Sequence, residues 1–355
     1  MPLDSRPIPV SEAELLIAVS RAARSLTQYT DWRQGMPEFL GELGSHTGAN
    51  RVWLFRVVRQ ESDYYIHEFI HEWASEARWS NISDSRLQHQ RVDVNADDIR
   101  ALYAARQRGE LLQHHRETVT GHMKREFELQ GIQSMLTIPV MVDGQWWGTL
   151  GFDDCEGPKV YPPAYLAALE TGAVLLTNMI LRERLHWEAT HDHLTRLLNR
   201  RAFVSAMERA DEQHVPGCFL MLDVDWFKTI NDQYGHQAGD HALAWMAEKM
   251  RRFFPASALC ARMGGEEFAV WLPLPQAGLS TSGAALVRQG RDLAEAFGAH
   301  LERCYCLWQG HRIGMTVSMG LTATVSGDSY ERLFTRADQA LYSAKRHGRN
   351  QVRVT

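Results

Sequence analysis

The stretch Arg262-Met263-Gly264-Gly265-Glu266-Glu267-Phe268 decides how this chain is read. Residues 259–263 before it and the apolar run Phe268-Ala269-Val270-Trp271-Leu272 after it both read as strands. Two glycines between such runs predict a tight hairpin with Gly264-Gly265 at the turn, because two-residue turns need positive φ, which glycine adopts at little cost. Glu266 and Glu267 follow directly. Neighbouring strand residues point to opposite faces, so one carboxylate can meet a ligand while the other faces the sheet. Taken alone, these residues describe a solvated hairpin as well as they describe a site.

Working outward, Cys218-Phe219-Leu220-Met221-Leu222 is a short apolar run, as expected of a strand buried on both faces, and it ends in Asp223-Val224-Asp225. A carboxylate at the C-terminal end of a central strand lies where open α/β sheets bind ligands. Asp223 and Glu266 are then two hard oxygen ligands from different parts of the chain. With nucleotide phosphates and water they would complete the octahedral shell that Mg²⁺ requires. Downstream, Asn231 and Asp240 offer an amide and a carboxylate suited to a guanine edge. Lys345 and Arg349, four apart near the end of a helical stretch, suit a phosphate clamp.

These segments together resemble the GGDEF family of diguanylate cyclases. The resemblance rests on Asp223-x-Asp225-x-Phe227-Lys228-x-x-Asn231-Asp232-x-x-Gly235-His236-x-x-Gly239-Asp240, on the hairpin, and on Ala337-Asp338-x-Ala340-Leu341-Tyr342-x-Ala344-Lys345-x-x-Gly348-Arg349-Asn350. Asp192-x-Leu194-Thr195, Asn199-Arg200-Arg201 and Thr316-Val317-Ser318-Met319-Gly320 add to it, over residues 191–355. The resemblance implies condensation of two GTP into cyclic di-GMP with release of two pyrophosphates. It implies Mg²⁺, with Mn²⁺ as a substitute, held by Asp223, the carbonyl of Val224 and Glu266. Glu267 stands beside them to ligate the metal or orient the attacking hydroxyl. Asn231 and Asp240 select guanine, so GTP is preferred over ATP. Lys228, Lys345 and Arg349 hold phosphates, assisted by backbone amides around Trp226 and Phe227. One hairpin holds one GTP, so the product requires two chains facing each other across a two-fold axis.

Two positions depart from the family pattern. The family often carries an Arg-x-x-Asp product-inhibition motif just before the hairpin; here the window reads Pro255-Ala256-Ser257-Ala258, which predicts no feedback through that site. Arg196 stands where the family usually has Gly.

The N-terminal half reads differently. Residues 11–43 carry a helical pattern, with Leu15, Leu16, Val19, Ala22, Ala23 and Leu26 on one face and Ser11 with Glu14 as a capping box. Strands are predicted over 51–58 and 66–73, helices over 96–108 and 120–130, and a hairpin of 134–142 and 146–152 around Asp143-Gly144. With Ile138-Pro139-Val140 and Trp147-Gly148-Thr149-Leu150-Gly151-Phe152-Asp153-Asp154, this half resembles a GAF domain, a small-molecule sensor module whose ligand the sequence does not name. Trp73, Trp79, Trp146 and Phe152 are read as core, or as the lining of a ligand pocket.

Between the halves, Pro162-Pro163 is followed by a helix in which Leu166, Leu169, Ala173, Leu176, Ile180 and Trp187 form a heptad-like stripe interrupted by Glu183. It either packs on its own domain or pairs two chains; a helix between two domains favours pairing. The expected organisation is an α/β (α+β) chain of two domains. A GAF-like antiparallel sheet with helices occupies 1–163, a coiled-coil-like helical linker 164–190, and a GGDEF palm-like central sheet flanked by helices 191–355.

Composition bounds the function. The chain has 355 residues, 45% hydrophobic and 23% charged, with a formal net charge of -5, which disfavours a nucleic-acid surface. The opening Met1-Pro2-Leu3-Asp4-Ser5-Arg6-Pro7 lacks a basic-then-apolar leader pattern, and no uninterrupted apolar run reaches about 18 residues. Five scattered cysteines (Cys155, Cys218, Cys260, Cys304, Cys306) read as free thiols of a reducing cytosol. His114-His115 and His191/His193 read as surface residues. The expectation is a cytoplasmic, homodimeric cyclase controlled by its sensor half, without nucleic acid or membrane partners. The alternatives are a catalytically silent GTP-binding regulatory module and a cyclase closing one GTP to a cyclic mononucleotide.

Overall fold

The computed structural model describes residues 7–29, 31–212, 215–274, 283–324 and 328–355. Residues 1–6, read above for a leader pattern, lie outside the described residues. The chain divides into two compact units, Met1–Leu185 and His186–Thr355.

In the first unit, α1 (Glu12–Gln28) opens with the predicted capping box: the Glu14 backbone N–H donates to Ser11 Oγ and the Ser11 N–H donates to Glu14 Oε2. The single helical pattern expected over 11–43 is two helices. Tyr29 is extended, a 3-10 turn spans Trp32–Gly35, and α2 (Met36–Thr47) restarts with Pro37 in its first turn. Proline has no N–H to donate to a preceding turn, so it begins a helix and cannot continue one.

Then come β1 (Arg51–Gln60), β2 (Tyr64–Ala74), β3 (Gln90–Asp93), α3 (Asp97–Gln107), β4 (Leu112–His115), α4 (Gly121–Leu129), β5 (Ser134–Val142) and β6 (Gln145–Asp154). They build one antiparallel sheet of order β3-β2-β1-β6-β5-β4. His114 and His115 are half-buried in β4 and not surface residues, and burial pulls the His114 pKa down to about 4.

The helix α5 (Pro163–Thr190) corrects the pairing-stripe expectation. Leu169, Ala173, Leu176 and Ile180 are buried in one core with Leu15, Phe39, Leu136 and Phe152, so most of that stripe packs against its own unit. Glu183 interrupts the stripe for a local reason: it accepts from Trp32 Nε1 (2.7 Å) and Arg33 Nη1 (2.6 Å). By length and composition α5 is the one helix among the described residues able to cross a membrane.

The second unit contains β7 (Leu198–Asn199), α6 (Arg200–Glu212), β8 (Gly217–Val224), α7 (Phe227–Tyr234), α8 (His236–Phe253), β9 (Leu259–Gly264), β10 (Glu267–Pro273), α9 (Gly283–Glu302), β11 (Cys306–Trp308), β12 (His311–Ile313), β13 (Val317–Ala323), α10 (Tyr330–Arg346) and β14 (Val352–Val354). Its main sheet has the order β14-β13-β8-β10-β9-β7, with β8 antiparallel to both neighbours. Side chains alternate strictly across it. Cys218, Leu220, Leu222 and Val224 pack with Met246 and Met250 of α8 and Phe297 of α9. Phe219 and Met221 pack with Phe203 of α6 and Leu341 of α10. Two covered faces explain the uninterrupted apolar run of β8, and they set which way its terminal aspartate points. The five cysteines are free.

Candidate active site

Asp223 continues the series Phe219, Met221 and therefore points to the α10 face, at the C-terminal end of central strand β8. The hairpin turn is displaced by one residue from its expected place. Gly264 (φ 150°) pairs with Glu267 as the last residue of β9, and the two turn residues are Gly265 (φ 50°) and Glu266. Glu266 is thus part of the bend, while Glu267 opens β10 directly opposite Asp223. Residues opposite each other in an antiparallel pair share a face with Cβ atoms about 5 Å apart, where like charges repel. The Val224 N–H donates to the Glu266 carbonyl at 3.2 Å, tying the bend to the strand tip.

The electrostatics follow from this placement. Burial raises the Asp223 pKa above the ordinary carboxylate value, an ion pair with Lys345 pulls it back, and Glu266 and Glu267 add to the rise. Lys345 Nζ lies 2.6 Å from Asp223 Oδ2. Among the described residues, no group of three His, Cys, Asp or Glu side chains is assembled to hold a metal with protein atoms alone. The donor set nevertheless fits a hard divalent cation that completes its shell with phosphate and water. Three carboxylates crowd one strand end, and one of them has an elevated pKa that a cation would relieve.

The second aspartate of Asp223-Val224-Asp225 has another task. Asp225 is buried and accepts from Thr316 Oγ1 (2.8 Å), Ser318 Oγ (2.6 Å) and the Asn350 N–H (3.0 Å). It fastens the β8 tip to β13 and to the chain after α10. Arg262 is a brace that sequence reading passed over. Its Nε and Nη2 donate to the Gly265 carbonyl at 3.0 and 2.8 Å, and its Nη1 reaches Asp192 at 3.2 Å. An arginine three residues before a glycine bend was the available signal.

Asn231 lies on α7, and Gly239 and Asp240 lie near the start of α8. A Cβ at Gly239 would stand 1.9 Å from Asn231 Oδ1 and 3.0 Å from Phe227 Cζ, so only glycine lets the amide lie against α8 beside exposed Asp240. Lys228 is exposed on the first turn of α7. No side chain caps that helix, so its first backbone N–H groups are available to an anion. Arg349 lies over the Trp226 ring, 4.1 Å from its centroid. Arg196 has φ 59°, which accounts for the glycine usual in the family, and its guanidinium lies 5.1 Å from the Trp187 ring centroid.

The first unit has a cavity of about 80 Å³ lined by Trp53, Phe55, Tyr65, His67, Arg106 and Asp153, among others. Of the four aromatics read from sequence, Trp146 and Phe152 are core residues. None of the four lines this cavity. Burial pulls the His67 pKa down to about 4, so its imidazole is neutral. Buried Arg106 donates to Tyr65 Oη at 3.2 Å, leaving its Nε without a partner. Cys155 is buried and its thiol pKa is pushed up to about 12, an unreactive state.

The GAF domain model matches residues 34–180, and the model of the diguanylate cyclase GGDEF domain matches residues 189–351. Diguanylate cyclase DgcP of Pseudomonas aeruginosa is 39% identical over 171 residues, covering 47% of this chain and 24% of that protein. Diguanylate cyclase DgcM of Escherichia coli is 36% identical over 176 residues, covering 48% and 40%. The GGDEF domain of DgcB from Caulobacter crescentus, solved in complex with c-di-GMP, is 33% identical and covers 47% of this chain and 95% of that one, with a TM-score of 0.42. This chain therefore spans less than half the length of the two curated relatives. With its hairpin, strand-tip acids and C-terminal basic turn in the matched segment, the chain carries a GAF domain followed by a GGDEF domain.

Proposed function

We propose that this chain condenses two GTP molecules into cyclic di-GMP, releasing two pyrophosphates, with each chain of a homodimer supplying one half-site. The observation that carries the reading is the convergence of Asp223, Glu266 and Glu267 at one strand end, with Lys345 against Asp223.

Asp223, the Val224 carbonyl and Glu266 would hold Mg²⁺ or Mn²⁺, with Glu267 adjacent. When bound, the metal lowers the pKa of the attacking 3′-hydroxyl and neutralises charge on the α-phosphate. The chain's own part is mostly positioning, as expected for in-line phosphoryl chemistry. Asn231 and Asp240 hold the guanine edge. Lys345, 2.6 Å from Asp223, would bind a phosphate together with Lys228, Arg349 and the amides around Trp226 and Phe227. One chain offers one hairpin, so the second nucleotide comes from a second chain. GTP and Mg²⁺ place this work in the cytoplasm.

We assign the cavity of the first unit to a small regulatory ligand. Arg106 offers an unpaired buried N–H to an acceptor, and the aromatic walls suit a planar body. Residues 164–190 would carry its effect by changing how often two half-sites face each other.

The test is incubation of the full chain with GTP and Mg²⁺ followed by chromatography of the products. Cyclic di-GMP is expected. A cyclic mononucleotide overturns the two-GTP chemistry, and unchanged GTP leaves a nucleotide-binding module.

A further inference from the structure

Three consecutive links join the β8–α7 junction to the end of α10: Asp223 with Lys345, Asp225 with the Asn350 N–H, and Trp226 with Arg349. The third has no structural need behind it. The Trp226 indole is 64% exposed and gains little from burial. It is nevertheless held at φ 57°, a left-handed conformation that is costly for a bulky aromatic residue. Its backbone is fixed from both sides, because the Asp225 N–H donates to the Thr316 carbonyl and the Trp226 carbonyl accepts from the Thr229 N–H at 2.8 Å. Across from it, Gly348, Arg349 and Asn350 all have positive φ, a bend that turns the Arg349 side chain back over the ring. Among the described residues no carboxylate pairs with Arg349, and its guanidinium lies over the ring.

We propose that Trp226 is a positioning residue whose indole face holds the Arg349 guanidinium ready for the β- and γ-phosphates of the bound nucleotide. A stacked guanidinium keeps its N–H edge free for phosphate oxygens, because the ring engages only its flat face. An arginine on a free stem would be ordered only when the nucleotide arrives, and that ordering weakens binding. Holding it on a ring in advance removes part of this loss. The strained backbone at Trp226 is then the cost of aiming the indole at the α10 bend. The proposal rests on the cyclase reading for the identity of the nucleotide.

The experiment is equilibrium titration of the full chain with a GTP analogue that cannot be condensed and with GMP, in Mg²⁺, for wild type, Trp226→Phe, Trp226→Asn, Arg349→Ala and the Trp226→Asn/Arg349→Ala double variant. Asparagine tolerates left-handed backbone, so Trp226→Asn removes the stack without adding strain. It should weaken binding of the analogue about two- to fivefold, the scale of an exposed cation–π contact, and leave GMP binding and the melting temperature undiminished. Trp226→Phe should retain most of the affinity, and in the Arg349→Ala background Trp226→Asn should have no further effect. Unchanged analogue affinity in Trp226→Asn, equal losses for the analogue and GMP, or additive losses in the double variant each overturn the proposal. A wild type that binds the analogue with this Trp226 dependence yet makes no cyclic dinucleotide from GTP would overturn the cyclase reading and keep the positioning role.

Discussion

Lys345 Nζ stands 2.6 Å from Asp223 Oδ2, joining the end of α10 to the tip of β8 at the point where Glu267 faces Asp223 across the sheet. Burial raises the Asp223 pKa, the lysine pulls it back, and Glu266 and Glu267 add to the rise. A cation brought to such a cluster would offset the repulsion among its carboxylates.

Asp223→Asn should lower cyclase turnover about 10²–10³-fold, the scale of losing one pre-organised charge-stabilising group. The same change should raise the melting temperature of the metal-free chain at neutral pH. The sign follows from linkage. The native pKa exceeds the unfolded one, so the native state binds more protons in the window just above the ordinary Asp value of 3.8. Stability is therefore lost as pH rises through that window, and the deficit stays in full above the folded pKa. The neutral isostere removes it. Thermal melts of both proteins in chelator check this, and a lower melting temperature for Asp223→Asn would contradict it.

Mg²⁺ should stabilise the wild-type chain in the presence of a non-hydrolysable GTP analogue at neutral pH. The gain should shrink as pH falls and Asp223 protonates, because the ligand must be ionised. Melts across pH 4–8 follow this directly. A Mg²⁺-dependent gain that persists unchanged at the acid end would place the cation elsewhere.

Gly239→Ala should disturb base recognition while sparing the metal acids. Its Cβ would meet Asn231 Oδ1 at 1.9 Å, so the amide must swing away from α8. GTP affinity should fall about tenfold or more, the usual range for an unpaired recognition group. ATP, read by neither residue, should be little affected. Competition of the two nucleotides in the wild type and variant measures the change in preference.

Asp153→Ala should destabilise the first unit by about 3–5 kcal/mol, because it takes from buried Arg51 its closest carboxylate and leaves it Glu72 at 4.0 Å. Arg51 Nη2 lies 2.6 Å from Asp153 Oδ2 with both side chains almost fully buried. Glu61→Ala breaks an exposed pair with Arg59 and should leave the midpoint unchanged. Urea titrations of the two variants compare them.

Turnover per chain should rise with protein concentration and then level off, because two half-sites must meet. Flat specific activity down to nanomolar protein would place both nucleotides on one chain. Added cyclic di-GMP should not inhibit non-competitively through the Pro255-Ala256-Ser257-Ala258 window, where both charges of the family's motif are missing.

Motif spacing made much of this legible before any coordinates. The hairpin, the apolar β8 run with its terminal aspartate, the capping box and the Asp143-Gly144 turn are local signals, and each appears in the fold. What sequence misjudged depended on partners far along the chain. Leu169, Ala173, Leu176 and Ile180 form a stripe whether they face a second chain or their own sheet, and periodicity cannot choose between the two.

The order of residues therefore fixed which groups are available: three acids near two strand ends, a lysine and an arginine four apart, and a glycine before Asp240. Folding decided which of them meet. Strand pairing put Glu267 opposite Asp223, alternation across a two-faced sheet turned Asp223 toward Lys345, and the left-handed bends at Trp226 and Arg349 stacked one on the other. These are long-range contacts set by register and packing, and neither leaves a mark in local spacing.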